Sequence, residues 1–145
     1  MLSKYSVKDV YMFRIASGED LISGINKVIY GENIKAGIIN IIGALSAFRI
    51  GYYDQAQKKY LGMEGTGDFE ILSCIGNVST KEGVPFPHLH VSLADKDGRA
   101  FGGHLLDGCR VFVAEVSIIS LEGPALGRYM DEQTGLALWP IHVNF

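Results

Sequence analysis

The spacing of apolar positions changes once along the chain. Between residues 21 and 29 they fall at Leu21, Ile22, Ile25, Val28 and Ile29, the three-and-four spacing that lays a single stripe along an α-helix. Ser17-Gly18-Glu19-Asp20 precedes this stripe. Ser17 is placed to cap, the two acids sit where the helix dipole favours negative charge, and Tyr30-Gly31 supplies the stop. Elsewhere the pattern is one of short β-branched and aromatic runs, over residues 10–16, 37–42, 44–54, 58–63, 68–79, 88–94, 99–105 and 136–143. Residues 111–120 form the most continuous β-branched run and predict a central strand buried on both faces. Residues 123–135, with Pro124, Asp131-Glu132 and Thr134-Gly135, read as irregular. One amphipathic helix early and many strands later predict an α+β fold with a central, mostly antiparallel sheet. The 18 glycines among 145 residues are scattered between the apolar runs, which suits tight turns and weighs against a helical bundle.

One pair of runs carries chemistry. In His88-Leu89-His90-Val91-Ser92-Leu93 polar and apolar residues alternate, so on a strand the two histidines and Ser92 share one face while the aliphatic residues face the core. Asp95-Lys96-Asp97-Gly98 suits a type I turn followed by a left-handed glycine, the three-residue hairpin loop. Asp95 then opposes Arg99, Leu93 opposes Phe101, Ser92 opposes Gly102 and His90 opposes His104, which brings His88, His90 and His104 onto one face beside the open space left by Gly102. A two-residue Asp97-Gly98 turn shifts the register by one and sends His104 to the other side. Three converging neutral imidazoles suit Zn2+ best, with Ni2+, Cu2+ or Fe2+ as alternatives. Three protein ligands plus a water make an open site able to support hydrolysis or Lewis-acid chemistry.

Such a site calls for a nearby carboxylate, and Glu115 is the candidate, because it interrupts the apolar run Val111-Phe112-Val113-Ala114-Glu115-Val116. The alternative for Glu115 is a place on a solvated sheet face. Asn77, Ser79 and Ser92 are polar residues in strand-like context that can line a pocket. His142 has no partner in sequence and reads as an ordinary polar residue. Cys74 lies in an apolar setting and reads as a buried, inert thiol, whereas Cys109 has a weak charge cue in Arg110. No glycine-rich phosphate loop leads into a helix with a Lys-Ser/Thr pair.

Length and composition narrow the classes. A chain of 145 residues with 48% apolar and 20% charged residues is expected to form one domain, residues 1–145, and excludes a disordered chain. The net charge of −3 provides no global positive field for nucleic acid, and no three basic residues fall together. Residues 1–10 lack the apolar segment of a signal peptide, and no apolar stretch approaches the length of a membrane helix. Two cysteines are too few for a disulfide framework. The expected compartment is the cytoplasm, with both thiols reduced and no membrane partner.

Several spaced motifs, in one order, make the sequence resemble the PPC family, the plants-and-prokaryotes conserved domain. They are Pro87-His88-Leu89-His90, Gly102-Gly103-His104-Leu105 and Glu115-Val116, together with Gly43-Ala44-Leu45, Gly51-Tyr52-Tyr53-Asp54, Gly76-Asn77-Val78-Ser79 and a tail running from Arg128-Tyr129 through Thr134-Gly135-Leu136 to Trp139. The resemblance implies an α+β domain that assembles as a homotrimer. It also implies that His88, His90 and His104 are the family's three-histidine cluster, which binds a metal in some prokaryotic members. In plants the domain is joined to AT-hooks, but this sequence contains no Arg-Gly-Arg-Pro core. Three functions follow: a homotrimeric metal protein, with a metal-dependent enzyme on a small molecule as one form of it; a DNA-associated regulatory protein; or a trimeric scaffold without catalysis. Scattered lysines and arginines weigh against specific DNA binding by this chain alone.

Overall fold

The computed structural model describes residues 3–141, so His142 and the end of the predicted strand 136–143 lie outside the described residues. The order is β1 (Ser6–Ile15), α1 (Leu21–Gly31), β2 (Gly37–Asp54), β3 (Lys59–Lys81), β4 (Val84–Ala94), β5 (Ala100–Leu105), β6 (Arg110–Glu122), β7 (Gly127–Asp131) and β8 (Leu136–Leu138). The described residues are thus mostly β, with a single eleven-residue helix among them. The predicted helix stripe is the buried one: Leu21, Ile25 and Ile29 are fully covered. The cap differs from expectation. Asp20, not Ser17, stands at the N-cap, where its Oδ1 accepts from the Ser23 backbone N–H at 2.9 Å and its Oδ2 from that of Gly108 at 2.8 Å. Ser17 falls in the preceding turn, one residue before Gly18 at φ +86°.

The eight strands run β1-β6-β2-β5-β4-β3-β7-β8, with a further β2–β3 pairing that closes β2, β3, β4 and β5 on one another. The sheet is mixed rather than mostly antiparallel, because β7 joins β3 in parallel (Thr80↔Gly127, Lys81↔Arg128) while the other named pairings are antiparallel. Runs that read as separate strands are continuous here. Residues 37–42 and 44–54 form β2, and 58–63 and 68–79 merge into β3, with bulges at Ile41/Gly43 and Leu45/Ala47 absorbing the bends. The stretch 123–135, expected to be irregular, contains β7 and the turn that leads into β8.

The core lies on the helix-covered side, where Ile15, Ile39, Ile41, Leu89, Val91, Leu93, Val111, Val116 and Ile118 join the helix stripe. Each such aliphatic side chain contributes about 1.5–3 kcal/mol by leaving water. The run 111–120 is not buried on both faces: β6 alternates, and Phe112 is 66% exposed. The reason is that the helix covers only one side of the sheet. On the other side, successive strand partners form a row, Met12–Ser117–Asn40–Ile75–His90–His104, that ends in two of the histidines.

Candidate metal centre

The β4–β5 hairpin sets the site, and its turn is the three-residue one. Gly98 adopts φ +76°, and its N–H donates to the Asp95 carbonyl at 2.9 Å. Asp95 Oδ1 accepts from the backbone N–H groups of Asp97 and Arg99, both at 2.9 Å, so one carboxylate organises the whole loop. The register follows as predicted: His90↔His104, Ser92↔Gly102 and Leu93↔Phe101. Strand approach at Gly102 is close. A Cβ there would stand 2.2 Å from the Val91 carbonyl oxygen, so glycine is required on steric grounds.

His88, His90 and His104 converge. Their ring centroids are 5.0–5.4 Å apart, and one ligand nitrogen from each lies within 4.8 Å of the other two. Burial, followed by the Arg128 guanidinium and the neighbouring imidazoles, pushes His88 down to about 4. Burial, followed by His90 and Arg128, does the same to His104. Both rings are therefore neutral near pH 7, the state in which imidazole ligates. Tyr60 stacks on His104 at 5.0 Å, and burial raises its hydroxyl above the usual range.

The structure adds a residue that the strand patterns did not single out. Arg128, on β7, is only 8% exposed. Its Nε donates to Ser79 Oγ at 2.8 Å, Nη1 to the Ala137 carbonyl at 3.2 Å, and Nη2 to Asn77 Oδ1 at 2.9 Å and His88 Nδ1 at 3.1 Å. Asn77 and Ser79 thus serve the site by holding this arginine. Ser92 sits exposed opposite Gly102. No pattern around Arg128 betrays it, because the parallel β3–β7 pairing brings it in from far along the chain.

A cleft of about 320 Å³ opens beside the cluster, lined by His88, His104, Arg128, Lys81, Tyr60 and Phe86 among others. Glu115 is not part of it. It stands exposed on β6, opposite Arg14 on β1 and Ile42 on β2, on the face that the helix leaves uncovered. In the single chain, solvent meets this charge and Arg14 stands opposite it, so it needs no partner in the cleft. No carboxylate lines the cleft among the described residues. Cys74 and Cys109 are both buried free thiols, with burial pushing them up to about 12 and about 11, so neither is a nucleophile.

The chain matches the Plants and Prokaryotes Conserved (PCC) domain over residues 2–122. It belongs to that family. Two solved structures of similar proteins share the fold over nearly the full length. A metal-containing protein of Archaeoglobus fulgidus is 42% identical, with a TM-score of 0.91 covering 97% of this chain and 99% of that one. A plant- and prokaryote-conserved protein of Pyrococcus horikoshii is 40% identical, with a TM-score of 0.93 covering 98% of each chain. The bifunctional protein GlmU of Synechococcus sp. is 30% identical over 128 residues, 87% of this chain, which spans only 19% of that relative.

The residues at the cluster fit a divalent transition metal. The donor set is three imidazoles, two of them held neutral by their surroundings, and His104 Nδ1 is buried without a hydrogen-bond partner. His88 adds a condition. A guanidinium only donates, so His88 Nδ1 accepts from Arg128 and the neutral ring carries its proton on Nε2. A metal that takes His88 displaces either that proton or the Arg128 hydrogen bond.

Proposed function

We propose that this PCC-domain chain is a homotrimeric metal protein in which His88, His90 and His104 hold one Zn2+, or another divalent transition metal, open to a small molecule. The observation that carries the reading is the convergence of three imidazole nitrogens within 4.8 Å beside a cleft. The metal-containing relative from Archaeoglobus fulgidus, at 42% identity, supports it. When bound, the metal supplies Lewis acidity toward an oxygen donor and lowers the pKa of a bound water toward about 7. The chain's own residues do the rest. Burial keeps two rings neutral, Tyr60 stacks on His104, and Arg128 orients the metal-free His88 through its Nδ1. A metal-dependent reaction on a small molecule is the use this arrangement supports best. With Glu115 outside the cleft and the imidazoles engaged as ligands, Tyr60 is the hydroxyl placed to exchange protons with a bound molecule. Elemental analysis of gently purified protein should find about one equivalent of metal per chain, and a His90→Ala/His104→Ala double variant should find almost none. Equal metal in both samples would sink the reading.

The regulatory alternative requires a cluster of cations that the sequence lacks, since acids outnumber bases 16 to 13. Fluorescence anisotropy with A·T-rich and mixed duplexes at about 150 mM salt should show no sub-micromolar binding that distinguishes them. Such discrimination would put the regulatory reading first.

A further inference from the structure

Arg128 is the only buried charged side chain among the described residues, and it has no carboxylate within ion-pairing distance there. All four of its hydrogen-bond partners are neutral: a hydroxyl, a carbonyl, an amide oxygen and an imidazole. A guanidinium taken out of water without an anion costs several kcal/mol in effective terms, and proteins avoid that cost unless something pairs with the charge. A second cation sits beside it. Lys81 is the parallel-strand partner of Arg128, and both lie over one face-bearing ring, Phe86, with Lys81 Nζ at 5.6 Å and Arg128 Cζ at 5.8 Å from its centroid. Two like charges over a single ring repel each other unless an anion stands between them. The cleft they share holds no acid, and its remaining walls are apolar or aromatic, including Tyr60, Met130, Leu136 and Leu138.

We propose that this cleft is a binding site for a small organic carboxylate, whose anionic end pairs with Arg128 and Lys81 and whose apolar body rests on Phe86, Met130 and Leu138. The inference goes beyond the metal reading and stands on the two cations, with or without metal at the histidines. The guanidinium meets a carboxylate here through a single charge-assisted N–H···O bond, because its other donors are already engaged. Four of its five N–H groups hold the arginine in place, leaving one Nη1 hydrogen for a ligand, and Lys81, exposed at the mouth, supplies the second contact. The volume, at the lower end of ligand cavities, limits the guest to a small molecule.

The single tryptophan provides the readout, because Arg128 Cζ stacks on Trp139 at 5.2 Å. Trp139 fluorescence and calorimetry would follow titration with benzoate, its neutral isostere benzamide, and inorganic phosphate, on metal-free and Zn2+-loaded protein whose metal content is measured in parallel. Benzoate should bind both forms, with benzamide at least tenfold weaker. Lys81→Met, an exposed change that leaves the fold intact, should weaken benzoate about threefold or more, and Arg128→Lys should weaken it about tenfold while circular dichroism stays unchanged. If benzoate binds no better than benzamide, or Lys81→Met and a folded Arg128→Lys bind it like the wild type, the proposal falls. Phosphate binding without benzoate binding also overturns the carboxylate assignment. Failure of zinc to load, with benzoate binding retained, would refute the metal reading alone.

Discussion

Two histidines make the pH response of the metal-free chain specific. Burial holds His88 and His104 neutral down to about pH 4, whereas an unfolded imidazole takes up its proton near 6.5. Between these values the unfolded chain binds more protons, so stability rises with pH across the window and is lost as pH falls from about 6.5 to about 4. The two rings are only half-buried, so the total loss is on the order of 2–4 kcal/mol after allowing for solvent screening. Asp95 and Asp131 act lower. Backbone hydrogen bonding to Arg99 and side-chain hydrogen bonding to Thr134, respectively, hold them below the ordinary 3.8, so their contributions persist until the pH drops beneath about 4. Urea unfolding of chelator-treated protein at pH 7, 6, 5 and 4.5 should show the decline, and His88→Asn/His104→Asn should flatten it. A double variant with the wild-type slope would mean the rings are not held neutral. At this scale the sequence was legible where chemistry is repeated locally: His88, His90 and His104 announce themselves by alternation and turn residues. Arg128 stood out only within the tail motif and not as a site residue, because its importance comes from burial beside Asn77, Ser79 and His88, which lie roughly forty to fifty residues away.

At the level of elements, the hairpin joins turn chemistry to the metal centre. Asp95, Asp97 and Gly98 set the register locally, and of the two turns the sequence allows the hairpin takes the three-residue one, in which His90 faces His104. Strand ends were harder to read, since glycine and polar residues inside β2 and β3 resemble breaks in a pattern but are bulges and bends in one long strand. The direction of β7 was also hidden, because a five-residue strand after a proline-containing loop carries no signal for parallel pairing. Gly102 tests the hairpin directly. Its Cβ in Gly102→Ala would meet the Val91 carbonyl at 2.2 Å, a backbone atom that can yield only by moving β4 away from β5. The variant should lose about 1–3 kcal/mol of stability. It should also bind Zn2+ at least tenfold more weakly, since the spacing of His90 and His104 follows the spacing of these strands. Gly98→Asn, which tolerates a positive φ, should cost little on either count. Calorimetric melting and competitive metal titration read both effects. Unchanged zinc affinity in Gly102→Ala would show that the cluster does not depend on this close approach.

For the whole molecule, the uncovered face of the sheet is the feature that one chain leaves unresolved. Ile38 and Ile42 on β2, Ile75 on β3, and Val10 and Met12 on β1 are each more than half exposed, and they lie on strands paired directly or through β6. Exposed apolar residues in this number, although Arg14, Asn40, Glu115 and Ser117 stand among them, suit a face that another copy covers. This face also bears on residues 111–120, which read as buried on both sides: outside the buried set the run has Phe112 and Ile119 but also Glu115 and Ser117, and the helix covers only the other face. The homotrimer we propose would cover this one. Light scattering behind a sizing column should give three times the chain mass of 15.8 kDa at micromolar protein. Ile42→Lys should shift the peak toward a single chain, because a lysine carried into every interface is stripped of water, a cost that the facing Glu115, itself stripped of water there, offsets only in part. The helix core should survive this change, as Ile42 points away from it, so far-UV circular dichroism should stay native. Tyr30→Lys, on the exposed side of α1, serves as the matched control and should remain trimeric. A wild-type mass near 15.8 kDa, or an Ile42→Lys variant that assembles like the control, would refute the trimer on this face. The assembly also bears on the metal centre, since Ile75 is the strand partner of His90. A subunit seated on Ile75 narrows access to the exposed histidine, so dissociated Ile42→Lys should surrender zinc to a chelator several-fold faster than the trimer.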